Sequence, residues 1–240
     1  MNKWVAVAGV TTLAMLAVGC GASAETAPGG GGKPGAAGSP DAASPSLPKQ
    51  ADGELAADKG TRYTHVGLPV MEQLTCDKGD GGFRFGNGKD VRLSATDDLP
   101  LREDKSGGDR ISCFGFPRIQ LSKGPITVTA PDLIARTKLF DQVADPKATL
   151  DKVFEESLGA GKGERPLVGK PTEVSTPTAV IKCQQNVADS FPMTTCYWAD
   201  HGAVGAIDYF PPGGKHFSMV QAVKRTKEFL KTALQPASAS

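Results

Sequence analysis

Four cysteines that follow the first 75 residues place the strongest constraint on how this chain can fold. The set is Cys76, Cys113, Cys183 and Cys196. An even number of cysteines in an exported protein points to disulfide bonds. Three pairings are possible, and proximity along the chain favours Cys76–Cys113 and Cys183–Cys196. On the chain-entropy model, closing the shorter loop stabilises the fold by about 3 kcal/mol and closing the longer loop by about 4 kcal/mol.

The first 20 residues indicate that the chain is exported. Lys3 is the only charge among them, and an apolar run follows from Trp4 to Val18. This run is too short for a comfortable membrane span, which needs about 20 residues. A basic start, a short apolar segment and small residues before a cleavage point are typical of a secretory signal peptide, here residues 1–19.

The end of that segment carries a more specific signal. Ala17-Val18-Gly19-Cys20 resembles the lipobox of bacterial lipoproteins, with alanine in place of the commoner leucine at its first position. The resemblance implies that the chain is cut before Cys20. It also implies that this cysteine is lipidated with acyl chains such as palmitate, because two or more chains hold a protein stably at a membrane. An ordinary signal peptide with its cleavage site near a cysteine is the alternative.

Residues 20–60 are predicted to form a lipidated, disordered tether. Gly, Ala, Pro and Ser make up most of this segment. It therefore cannot bury enough apolar surface to offset the entropy lost on ordering. The folded region is then 61–240, with a possible division into a strand-rich part over 61–130 and a helix–strands–helix part over 131–240.

The charge balance argues against one class of partner. Removing residues 1–19 takes away Lys3 and leaves 26 basic beside 26 acidic side chains. A neutral chain without a basic cluster lacks the positive surface that nucleic acids require. The zero net charge also argues against electrostatic adhesion of the chain to anionic lipid. Membrane attachment is therefore expected through the lipid on Cys20, at the extracytoplasmic face of the cell membrane.

The predicted strands precede and follow helices without strict alternation, which indicates an α+β fold with a mainly antiparallel sheet and packed helices. Residues 81–95 have the pattern of a hairpin, with a tight turn at Asn87-Gly88. Short strands are expected at 110–117 and 125–131, and three more at 178–184, 195–200 and 203–210.

Three helices are expected from capping signals and periodic apolar residues. The first begins at Pro131, with Leu133, Thr137 and Phe140 on one side. The second is capped by Asp145 and presents an apolar stripe before it ends at Gly159. The last has a capping box at Ser218 and Gln221, an inward-facing apolar side that includes Val220, Phe229 and Leu230, and a stop at Pro236.

The segment from Cys183 to Phe210 groups residue types that also occur in active sites. The predicted strands place Cys183 and Cys196 on adjacent antiparallel strands, where a structural disulfide fits. A catalytic cysteine would need a free thiol of low pKa, and such a thiol tends to oxidise outside the cell. Asp200-His201-Gly202 falls at a turn, where Asp and Gly are common for backbone reasons alone.

Asp200, His201 and Asp208 are the candidate ligand-site residues. Asp208 is unusual because it shares a strand face with apolar residues, and we expect it near a sheet edge with its carboxylate in water. The histidines are too widely spaced for a known zinc motif, and no calcium-loop or cofactor-binding pattern is found. The sequence thus predicts no metal, no cofactor and no assembled catalytic pattern.

The motif C-Y-W-A-D-H-G-A-V-G at residues 196–205, with a cysteine upstream, is similar to the C-terminal unit of secreted and lipid-anchored actinobacterial proteins. The similarity covers about residues 147 to 235. It implies a cell-envelope location and a disulfide-bonded strand pair, and it carries no established activity.

These observations predict a membrane-anchored binding or interaction module whose partner is an envelope protein or a cell-wall component. The alternative is an envelope hydrolase with a site assembled only in three dimensions around Asp200, His201 and Asp208. A third hypothesis, a small-ligand carrier that delivers to a transporter, is less favoured because the chain is small and lacks two matched lobes.

Overall fold

The computed structural model describes residues 53–79, 99–101, 109–124, 126–158, 165–188 and 190–236. The predicted hairpin at 81–95 and the predicted lipidation site, Cys20, lie outside these residues. The strands are β1 (Tyr63–Val66), β2 (Thr75–Lys78), β3 (Asp109–Phe114), β4 (Ile119–Lys123), β5 (Ile126–Ala130), β6 (Leu133–Leu139), β7 (Leu167–Ser175), β8 (Val180–Ala188), β9 (Phe191–Ala199), β10 (Ala203–Tyr209) and β11 (Leu234–Pro236). The α-helices are α1 (Pro146–Leu158) and α2 (Met219–Ala233).

A seven-stranded antiparallel sheet forms the centre of the fold, in the order β2-β3-β6-β10-β9-β8-β7. It takes strands from both sides of residue 130. Two small antiparallel pairs, β1–β11 and β4–β5, lie outside it. The mainly antiparallel α+β fold predicted from the sequence is therefore confirmed.

The two helices cover opposite faces of this sheet. Successive residues of a strand point to opposite sides, so the two helices can be assigned to faces by the residues of β9 that they contact. On one face, α1 packs Leu150 and Phe154 against a cluster that includes Tyr197 of β9. On the other face, α2 packs Phe229 into a cluster that includes Trp198, the next residue of the same strand. Among the described residues, no helix is long and apolar enough to cross a membrane.

Both predicted disulfides are confirmed, and each joins residues that face each other across neighbouring strands. Cys76 of β2 pairs with Cys113 of β3, and Cys183 of β8 pairs with Cys196 of β9. The second disulfide is fully buried beneath α2. The described cysteines thus offer no free thiol for a catalytic cysteine–histidine pair.

The helix predicted from Pro131 is wrong, because this segment is the central strand β6. The spacing of Leu133, Thr137 and Phe140 fits a helical face, but the run also alternates as a strand does. In β6, Leu133 and Ala135 pack on the α2 side, whereas Ile134 packs on the other side. Hydrogen bonding to β3 and β10 on both edges decides the conformation.

Helix α1 follows its predicted capping, whereas α2 departs from its prediction at the N-terminus. The Asp145 carboxylate accepts a hydrogen bond from the Ala148 amide at 2.9 Å, and Pro146 is the first helical residue. Ser218 precedes α2 but makes no side-chain capping hydrogen bond, so the predicted capping box is absent from this helix. Val220, expected to face inward, is 45% exposed.

Candidate functional site

Asp200 caps the turn between β9 and β10. Its Oδ1 atom accepts hydrogen bonds from the amides of Gly202 and Ala203, both at 2.7 Å. This is the local pattern by which an aspartate replaces backbone partners in a turn. The Asp200-His201-Gly202 sequence is therefore explained by the hydrogen bonds that form the turn.

The other oxygen of Asp200 joins this turn to β1. Asp200 Oδ2 accepts a hydrogen bond of 2.6 Å from the hydroxyl of Tyr63. Burial raises the pKa of the Asp200 carboxyl above its usual range, while these hydrogen bonds oppose the rise. Burial and the bond to Asp200 also raise the pKa of Tyr63, so its hydroxyl keeps the proton that it donates.

His201 contacts the segment of residues 53–62, which we call the entry segment. The His201 Nε2 atom lies 3.1 Å from the carbonyl oxygen of Ala56. The amide of Ala56 donates in turn to the Pro177 carbonyl at 3.2 Å. Residues 53–60, assigned to the tether from composition, thus lie against the folded domain.

Asp208 lies elsewhere, on the α1 side of the sheet. It is fully buried, at a strand position flanked by β6 and β9 rather than at the sheet edge that the sequence suggested. Asp208 Oδ2 lies 2.5 Å from the guanidinium of Arg136, and Oδ1 accepts a 2.7 Å hydrogen bond from Thr195. The structure brings Asp200 and His201 together in one turn and places Asp208 in a separate buried ion pair.

A cleft of 420 Å³ opens beside the Asp200 turn, and we call it the main cleft. Its walls are formed by the C-terminal half of α2, strands β1 and β11, and the turn between β7 and β8. Apolar lining comes from Ala179, Leu230, Leu234, Pro236 and the ring of Tyr63. Two lysines of α2, Lys227 and Lys231, also line it.

A second cleft of 260 Å³ adjoins the first, and we call it the side cleft. The two share Thr61, Tyr63, Thr178 and Asp200. The entry segment contributes Asp58 and Lys59 to the side cleft, and His201 completes one wall. Asp200 and His201 are thus wall residues of a continuous surface depression.

The main cleft was not visible in the sequence. The sequence predicts the helix that borders this cleft, with Leu230 facing inward and Lys227 and Lys231 facing water. The pairing of Tyr63 with Pro236 was missed, although it joins two ends of the domain and forms one wall. A polar strand of four residues has little periodicity, so its partner cannot be found from local pattern alone.

The described part of the chain holds no group of three or more His, Cys, Asp or Glu side chains placed to bind a metal ion. Comparison with protein families, with curated proteins and with solved structures finds no match to this chain. The site must therefore be interpreted from its own chemistry.

Proposed function

We propose that this protein is a lipid-anchored, extracytoplasmic binding module of the cell envelope, and that its ligand occupies the main cleft. The lipobox-like segment ending at Cys20 and the Gly/Ala/Pro/Ser-rich residues after it support the anchor and the tether. Membership in the actinobacterial group of envelope lipoproteins is part of the same proposal, supported by the motif at residues 196–205.

The observation that carries the binding role is the composition of the main cleft. Its volume of 420 Å³ is within the range of about 300–1,000 Å³ that is common for ligand sites. Most of its exposed lining surface is apolar, and polar groups from three threonines, Asp200 and two lysines surround that surface, a combination that ligand sites commonly have.

The candidate residues Asp200, His201 and Asp208 are already hydrogen-bonded or ion-paired within the protein, which favours a binding role over hydrolysis. A general base needs a lone pair within reach of a substrate. Both carboxylate oxygens of Asp200 accept hydrogen bonds from the protein. His201 Nε2 donates to the Ala56 carbonyl, so a neutral His201 ring has its lone pair on Nδ1 alone. Asp208, the third residue of the hydrolase hypothesis, is paired with Arg136 in a separate cluster.

The anchor is tested by replacing Cys20 with serine in the full chain and expressing it in the cells that produce the protein. We expect the variant to leave the membrane fraction and to appear in the medium, because the lipid attachment site is lost. Ser23→Ala, a change three residues away, should remain membrane-bound. Retention of the Cys20→Ser variant at the membrane would contradict the lipoprotein assignment.

The cleft is tested by an aliphatic diazirine amino acid at Leu230, which is half-buried in the cleft lining and accepts a side chain of similar shape. Irradiation of intact cells should attach an envelope component to this position. The same amino acid at Leu167, which is 38% exposed on the edge strand β7, should not be labelled by that component. Equal labelling at both positions, or none at either, would contradict a ligand site in this cleft.

A further inference from the structure

Building on the proposed binding function, we propose that the main cleft holds a fatty-acyl chain with a terminal anion, taken from the adjoining membrane. The acyl chain would contact Leu230, Leu234 and Pro236, and its anionic group would pair with Lys231. Three features of the described residues support this occupant: an apolar lining, a positively charged rim and the position of the entry segment.

Two hydroxyl groups in the cleft lining, those of Tyr63 and Thr176, are already bonded to the protein. The Tyr63 hydroxyl donates to Asp200, which leaves the tyrosine ring as the surface that faces the cleft. The Thr176 hydroxyl lies 2.8 Å from the Ala179 carbonyl and also accepts from the Ala179 amide at 2.9 Å. These two hydroxyl groups are therefore engaged within the protein, and the remaining lining near them is apolar: Ala179, Leu230, Leu234 and Pro236. An alkyl chain fits such a lining better than a sugar or a polar peptide.

The rim of the two clefts carries positive charge. Lys231 is exposed, Lys227 lies one helical turn before it, and Lys59 lines the side cleft. The two carboxylates of the clefts are compensated by other groups: Asp58 pairs with Arg62 at 2.9 Å, and Asp200 accepts three hydrogen bonds. The hydrogen bond from Arg62 lowers the pKa of Asp58 to about 2, so this pair persists at neutral pH.

The entry segment gives the reason to look for a ligand from the membrane. Ala56, Ala57, Asp58 and Lys59 line the side cleft, and Gly53, the first described residue, lies beside Pro177 of the same cleft. About 30 residues separate Cys20 from the first described residue. A chain of that length can span at most about 110 Å when fully extended. A lipidated Cys20 would therefore keep the cleft within reach of the bilayer surface.

The test is a calorimetric titration of the full chain carrying Cys20→Ser with dodecanoate below its micelle concentration. Dodecanol and dodecyltrimethylammonium supply the same alkyl chain with no charge and with positive charge. We expect dodecanoate to bind, and both other ligands to bind at least several-fold more weakly, because they cannot form an ion pair with Lys231. Lys231→Glu should weaken dodecanoate binding several-fold, because it removes an exposed ion pair and puts a like charge in its place. Lys215→Glu, the same charge change at an exposed lysine beyond the far end of β10, should not weaken it.

A second pair of variants tests the location without changing charge. Thr178 is exposed at the rim shared by both clefts, and Thr178→Trp should block entry and abolish binding. Thr129→Trp, on an exposed position of β5, should bind dodecanoate as the parent chain does. Circular dichroism of each variant establishes that the fold is retained.

Several results would overturn the inference. Equal binding of the three dodecyl ligands would remove the charge argument, and full binding by Thr178→Trp would place the ligand elsewhere. No dodecanoate binding, together with specific labelling at Leu230 in cells, would reject the acyl ligand and leave the binding module standing. No dodecanoate binding and no specific labelling would reject both.

Discussion

Replacing Gly205 with alanine should destabilise this protein sharply, because the indole of Trp198 occupies the space where a side chain would begin. Gly205 and Trp198 face each other across β10 and β9. A Cβ atom at position 205 would lie 2.4 Å from Trp198 Cε2 and 2.5 Å from Cζ2 and Nε1. Optimal carbon–carbon separation is roughly 3.5–4.0 Å, so the overlap exceeds about 1 Å.

Neither partner can move away easily. Trp198 is fully buried in the cluster beneath α2, and β10 is hydrogen-bonded to β6 on one side and β9 on the other. Overpacking of a core commonly costs about 1–3 kcal/mol, and this geometry indicates the upper end. Replacing glycine also restricts the unfolded chain, which returns about 0.4–1 kcal/mol. The expected net loss is about 2 kcal/mol of unfolding free energy.

The assay is urea unfolding without reductant, followed by circular dichroism because tryptophan fluorescence changes when Trp198 is replaced. A double-mutant cycle isolates the contact. In a Trp198→Leu background, Gly205→Ala should cost less than about 0.5 kcal/mol, since the clashing atoms are gone. A cost of about 2 kcal/mol in both backgrounds, or almost none in the parent, would refute the steric explanation.

Three further predictions concern the polar and covalent contacts. Asp208→Asn should cost about 3 kcal/mol or more, because it leaves a buried guanidinium without its carboxylate. Asp109→Asn breaks a partly exposed pair with Lys78 and should cost less than about 1 kcal/mol. Urea unfolding measures both losses. Because the pKa of Asp200 is raised in the folded state, its protonated carboxyl contributes to stability below the usual pKa of about 4. That contribution is lost as the pH rises through the pKa of the folded state. Asp200→Asn should therefore become more stable relative to the parent between pH 4 and pH 7, and an unchanged difference would contradict the burial argument. Replacing Cys183 and Cys196 together with serine should lower the unfolding free energy by about 3 kcal/mol, a value that urea midpoints at equal m-value would check.

The disulfides and the strands around them could be predicted because the signals are local. The run that ends at Cys183 and the run that begins near Cys196 both contain strand-forming residues, and a polar loop joins them. Each cysteine pair faces its partner directly across the sheet. Asp145 and Pro146 identified the start of α1 equally well, since capping depends on a few adjacent residues.

Elements that depend on distant partners were missed or assigned wrongly. Strand β7 contains Gly169 and Pro171, residues that usually interrupt strands, and it is tolerated because it lies at the sheet edge with a register shift. Strand β6 has a helix-like spacing that pairing on both edges overrides.

In the candidate site too, the sequence predicts what depends on neighbouring residues and misses the contacts between distant ones. The sequence placed Asp200 and His201 together in a turn, because they are neighbours in the chain. It could not show that Asp208 pairs with Arg136, since those residues are 72 positions apart. Nor could it show the main cleft, whose walls bring Tyr63 beside Leu234 and Lys231.

The central claim is that the main cleft holds a ligand in the cell, and native mass spectrometry of the full chain extracted from its own membranes tests it most directly. The account predicts an additional small-molecule mass bound to the parent chain and to Thr129→Trp, and its loss from Thr178→Trp, which closes the cleft rim. A parent chain without any bound mass, or the same mass retained by Thr178→Trp, would contradict the claim.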